Sequence, residues 1–179
     1  MKRIDRITKI IDAISVWSGK ATSWLIFPMI FVLAYEVLIR HIGRPTLWAT
    51  DMGTIFYGLH YWLAGAFTLY AGKHIRTDFF YANWSLKTQC WVDLICYIFL
   101  FLPGMVMFII LSWEFAAESW ALKEKLMTTW RPAAYWFKSA IPLGGILLLI
   151  QGFSEILKSI KSLKTGVDHR VHAEASEIT

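Results

Sequence analysis

Two ionisable side chains stand inside strongly apolar runs: Glu36, one turn from the end of the run Ala21 to Ile39, and His60, near the middle of the run Leu47 to Ala71. An ionisable group at membrane depth is expensive, so each needs a reason. A carboxylate there could pass protons or cations, and an imidazole could ligate haem or relay a proton. A relay requires such groups at graded depths on several segments. These two are separate, and the third and fourth apolar runs carry none near their centres, which argues against a complete transport pathway within this chain. Bis-histidine haem ligation needs a second imidazole at the depth of His60. His41 and His74 fall at the ends of runs, and His169 and His172 lie in the polar tail. The simpler account of His60 is a neutral imidazole hydrogen-bonded to a neighbouring helix.

The remaining constellations are weaker. Cys90 and Cys96, six apart in an apolar run, match neither a zinc spacing nor a Cys-x-x-Cys redox pair and read as packing residues. His169 and His172 have a spacing that could touch a metal, although a solvated tail accounts for them. Trp48 and Asp51 share a face at the start of the second run, where unpaired amides and the helix dipole favour a carboxylate. Glu114, Glu118 and Lys123 have the spacing of ion pairs along an exposed helix end, or of a docking surface for an outside partner. No glycine-rich phosphate loop, nucleophile elbow or Cys/His metal set is present, so enzyme readings lack a site and no cofactor is expected.

The elements that carry these residues are set by composition. Fifty-six per cent hydrophobic residues and ten tryptophans in 179 residues cannot be hidden in a soluble core of this size. The expectation is an all-α integral membrane protein with four transmembrane helices, a long third helix and an N-terminal amphipathic helix. Residues 1–18 place Ile4, Ile7, Ile10, Ile11, Ile14 and Trp17 at helical spacing beside Lys2, Arg3, Arg6, Lys9 and Asp12. This helix either lies in the interface plane or leads into the first span. Residues 19–164 hold the four spans and 165–179 a polar tail expected to be partly disordered. The second span, Leu47 to Ala71, closes at Gly72 and carries Ala64, Thr68 and Gly72 at a spacing of four, a small-residue stripe that lets another helix approach. The third, from Lys87 to Leu122, reaches about 50 Å at 1.5 Å per residue. It must kink at Pro103, tilt or project beyond the bilayer. The fourth runs from Ala134 to Leu157.

Twelve of the 18 Lys and Arg residues fall on the side of the two termini, which predicts cytoplasmic termini. Tryptophans cluster at both expected interfaces, and only Trp62 falls at mid-membrane. The net charge of +5 resides in short basic clusters that end apolar runs, a pattern for lipid headgroups and not for nucleic acid.

Three features together resemble one family. Trp48-Ala49-Thr50-Asp51 follows the first hairpin as a Trp-x-x-acid pattern, with aspartate where glutamate is usual. Gly72, His74, Arg76 and Asp78 form a Gly-x-His-Ile-Arg-x-Asp stretch at the end of the second span, with Thr77 where an apolar residue is usual. A four-helix layout then ends in the segment from Pro132 to Lys138. The chain resembles the small membrane subunit of tripartite ATP-independent periplasmic (TRAP) transporters over nearly its whole length. That resemblance implies a bacterial or archaeal inner-membrane protein that is a static scaffold. Its partners would be a large membrane subunit, which moves substrate and sodium by an elevator motion, and a periplasmic substrate-binding protein. The segment from Pro132 to Lys138 looks most like branches associated with organic acids. On this reading Ala64, Thr68, Gly72, Trp48 and Asp51 meet the partner subunit, and Glu118, Lys123 and Arg131 dock the binding protein. A four-helix cytochrome b-type redox subunit using His60 is the alternative.

Overall fold

The structure, a computed structural model, describes residues 2–72 and 84–170. Among these it is helical, with one isolated antiparallel bridge between Lys125 and Ala133 and no strand. Helix α1 (Lys2–Ser23) leads through a turn at Trp24 and Leu25 into α2 (Ile26–His41), and α3 (Ala49–Tyr70) returns beside them both. Helix α4 (Leu86–Cys96), a π-helical stretch (Tyr97–Phe101) and α5 (Leu102–Ala121) follow without a break. The short α6 (Tyr135–Lys138) and the long α7 (Ala140–Thr165) complete the bundle. Both ends of the described chain lie together, because Lys161 of α7 pairs with Asp5 of α1 at 2.6 Å.

Proline explains both interruptions in the long helices. Pro28 in the first turn of α2 has no N–H to bond the carbonyl one turn earlier, and the chain turns at that place. Pro103 has the same deficit, and the helix just before it widens, with the Leu102 N–H donating five residues back to Tyr97. The third stretch thus remains helical through Pro103 and accommodates it as a π-bulge.

Three helical stretches are long and apolar enough to cross a membrane: Ile4–His41, Leu86–Ala121 and Tyr135–Thr165. Helix α3, expected to be a span, is not among them by composition, since it carries Asp51, His60 and three tyrosines. Its surroundings give the reason: α1, α2 and α7 all pack on α3, which therefore meets protein over much of its surface. The large apolar residues face outward instead. Phe31, Val37, Leu38, Phe99 and Leu100 are exposed, whereas the interior is built from Ala49, Ile55, Ala66, Cys90, Ala116 and buried serines. Such an inside-out distribution suits a lipid surround, where small residues allow close helix contact. A Cβ on Gly144 would collide with the Trp62 carbonyl of α3, and one on Gly152 with the Phe101 ring placed by the π-bulge.

The tertiary structure refines or changes several sequence expectations. Helix α1 turns its polar face toward the bundle and leaves most of its isoleucines outside. Thr8, Ser15, Ser18 and Thr22 are buried, while Ile7, Ile10, Ile14 and Trp17 are exposed. The last helix continues to Thr165, beyond the expected end at Leu157, because its final turns pair with α1. Cys90 is buried, as its packing role requires, but Cys96 is exposed. The expected polar tail begins with a docked turn, in which Gly166 takes φ +70 and Arg170 reaches back to Asp93 at 2.7 Å and Gln89 at 3.0 Å.

Candidate functional site

Helix α7 presents Gln151, Ser154, Glu155, Lys158, Ser159 and Ser162 along one stripe, all buried. That spacing follows the 3.6-residue period, so the polar groups share a face and meet the polar face of α1. Lys158 Nζ donates to Asp12 Oδ1 at 2.8 Å and to Glu155 Oε1 at 2.7 Å. Gln151 Nε2 donates to Asp12 Oδ1 at 3.1 Å and to Glu155 Oε1 at 3.0 Å, and Ser154 Oγ donates to Asp12 Oδ1 at 2.9 Å. Ser15 Oγ donates to Gln151 Oε1 at 2.7 Å. The Lys158 ammonium also stands 5.4 Å from the Tyr70 ring centroid. A buried charge needs partners on every side, and this seam supplies them from two helices at once. Sequence reading missed it. The signal was the unbroken polar stripe on α7, which carried no meaning until α1 was known to lie against it.

The two deep ionisable groups have structural partners. Glu36 is buried and accepts from Arg40 NH2 at 2.8 Å and Nε at 3.2 Å, from the Thr46 N–H at 3.2 Å and from the Thr46 hydroxyl. It therefore ties the end of α2 to the loop that starts α3. His60 Nδ1 lies 3.1 Å from the carbonyl oxygen of Thr22, and since a carbonyl only accepts, Nδ1 carries the proton. This is a hydrogen bond to a neighbouring helix, as the sequence suggested. It meets α1 where that helix ends.

At the opposite end from the termini, Asp51 is buried and accepts from the Thr128 hydroxyl at 2.6 Å, while Trp48 stacks on Tyr35 with centroids 5.9 Å apart. Both residues are thus engaged within the chain. Residues 123–134 form a tight hairpin, with the Ala134 N–H donating to the Glu124 carbonyl at 2.8 Å and Leu126 N–H to that of Pro132 at 2.9 Å. Lys123 and Arg131 take positive φ values of 47° and 52° at its two sides. Glu124 accepts from Lys138 and from Ser119, the latter at 2.7 Å. Hydrogen bonds from Lys138 and then Ser119 hold its carboxyl below the ordinary 4.5, against a smaller opposing effect of desolvation. Glu118, Lys123 and Arg131 are exposed, and Met127 at the hairpin tip is fully so.

Ala64 and Thr68 line a groove of about 410 Å³ between α3 and α5, floored by Gly144, Gly145 and Leu148 of α7. Trp62 and Phe108 stack across it with centroids 5.4 Å apart. Gly65 belongs to the same wall, and a Cβ there would meet nothing within 4 Å. Gly72 is outside this groove. It takes φ +65 just beyond α3, and its N–H donates to the Leu69 carbonyl at 3.1 Å, which ends the helix. His74, Arg76 and Asp78 lie outside the described residues. Among the described residues no group of three His, Cys, Asp or Glu side chains could hold a metal ion.

Comparison with known proteins gives a family. No curated protein matches the chain. Residues 29–162 match the model described as tripartite ATP-independent periplasmic transporters, DctQ component, which covers more than half of the 179 residues. The match spans α3, the long third helix and most of α7, and it gives the redox alternative no support. The chain belongs to the DctQ family, the small membrane component of TRAP transporters.

Proposed function

We propose that this chain is the stator of a sodium-coupled importer of an organic acid, held in the cytoplasmic membrane by four spans with both termini inside. The large elevator-type subunit carries substrate, and a periplasmic binding protein delivers it. The observation that carries this reading is the commitment of Glu36 and His60, the two deepest ionisable groups, to contacts that hold helices together. They work as fasteners, which is what a stationary subunit requires. Helix α3, at 22 residues and about 33 Å, has the length of the fourth span.

The groove beside Ala64, Gly65 and Thr68 offers a close-approach surface for a helix of the large subunit. Replacing Ala64 and Thr68 with leucine fills it, so co-purification of the large subunit from native membranes should fall. Unchanged co-purification would remove the groove from the interface. At the other end, the exposed charges of Glu118, Lys123 and Arg131 around the Met127 tip provide a surface for the binding protein. Reversing the three charges together should slow uptake at limiting binding protein, and uptake at the wild-type rate would rule that surface out.

A further inference from the structure

A second groove, of about 550 Å³, runs between the outward face of α1 and the end of α3 and is lined by Lys9, Asp12, Ala13, Trp17, Lys20 and Tyr70. Its carboxylate is already taken, since Asp12 accepts from Lys158, Ser154 and Gln151. Its cations are not. Lys9 and Lys20, with Arg6 one turn away, form no ion pair among the described residues, whereas Lys158, Lys161, Lys138, Arg40 and Arg170 each form at least one. The uncommitted charge of the groove is therefore positive. Apolar surface adjoins it, because Ile10 and Ile14 point outward on α1 and Trp17 is 72% exposed.

Depth gives these features a meaning. If α3 crosses the bilayer as proposed above, its length matches the hydrocarbon layer and puts Tyr70, with the groove beside it, at the headgroup boundary. Tyrosine and tryptophan rings settle at that level, and the cytoplasmic leaflet there carries anionic lipid. We infer that the groove binds the phosphate headgroup of an anionic phospholipid, with Lys9 and Lys20 flanking the headgroup from the two ends of the groove and with Trp17, Ile10 and Ile14 against the glycerol and acyl chains. A zwitterionic headgroup would bring its own ammonium against two unpaired lysines and bind less well.

The test is native mass spectrometry of the full chain in detergent, titrated with phosphatidylglycerol or phosphatidylethanolamine. Phosphatidylglycerol should be retained more tightly, by about fivefold for each lysine that contacts it. The variant Lys9→Gln/Lys20→Gln should lose that preference, Lys9→Arg/Lys20→Arg should keep it, and Lys125→Gln at the opposite end should leave it unchanged. Melting temperatures show which variants are folded, and if the double glutamine variant is not, the single Lys20→Gln variant carries the comparison. Equal retention of the two lipids, an unaltered preference in the glutamine variant, or displacement of phosphatidylglycerol by millimolar inorganic phosphate would overturn the assignment. Lipid selectivity is read on the chain alone, so its failure leaves co-purification with the large subunit untouched, and the converse holds.

Discussion

At the α1–α7 seam the Lys158 side chain is 4% exposed and touches two carboxylates, whereas at the opposite end Glu124, 40% exposed, meets Lys138 beside open surroundings. Both are pairs of one cation with carboxylate, yet they differ in what replaces a missing partner. Water can reach Glu124. Around Lys158 the alternatives are serine hydroxyls, a glutamine amide and the ring of Tyr70, all already placed by three helices. The contrast teaches that ion pairs in this protein act as register marks where they are enclosed and contribute little where they are open.

The largest break in that contrast should come from Lys158→Met. It leaves Asp12 and Glu155 facing each other without a cation, and such a loss costs about 3–5 kcal/mol. The expected result is a sharp fall in melting temperature and in monodisperse protein, partly restored by adding Asp12→Asn. A wild-type melting temperature in the single variant would mean that the seam does not hold α1 in place.

A smaller effect separates two of the glycine sites that line the groove of α3, α5 and α7. Gly144→Ala drives a methyl group into the Trp62 carbonyl of the neighbouring backbone, an overpacking that costs about 1–3 kcal/mol. Gly65→Ala meets open space, so the chain should gain up to about 1 kcal/mol from helix propensity. Thermal melting of the two variants in detergent checks this, and equal destabilisation would show that the groove wall at Gly65 is closed.

The smallest effect belongs to Glu124. Its folded-state value lies below the ordinary 4.5, so the contribution of its pair is complete above that value and disappears as pH falls through the lower folded one. The difference in melting temperature between wild type and Lys138→Gln should therefore be constant from neutral pH to about 5 and shrink only in more acid solution. A difference that instead shrinks between pH 7 and 6 would assign it to another group.

How much of this was legible beforehand differs residue by residue. The hydrogen bond of His60 was readable because a lone imidazole in an apolar run has few other uses. Glu36 was visible as costly, but its four donors come from Arg40 and Thr46, and the second of these meets it only once the hairpin closes. The small-residue stripe was read as Ala64, Thr68 and Gly72. Two of these line the groove, and the third is a left-handed helix terminator, since a spacing of four does not tell a packing face from a stop. Trp48 and Asp51 were read as partner contacts, and Tyr35 and Thr128 engage them within the chain because α2 and the hairpin of residues 123–134 converge on the start of α3.

The sequence by itself determined that the chain is helical, that it carries long stretches apolar enough to enter a membrane, and that it belongs with the small components of TRAP transporters. Composition and periodicity fix such properties because they depend on neighbours within a few turns. Only the tertiary structure decided which face of α1 turns inward, and it chose the polar one. In a lipid surround the isoleucines gain nothing by burial, while Asp12 and Ser15 find partners on another helix, so the partner chosen in space sets the direction of the face.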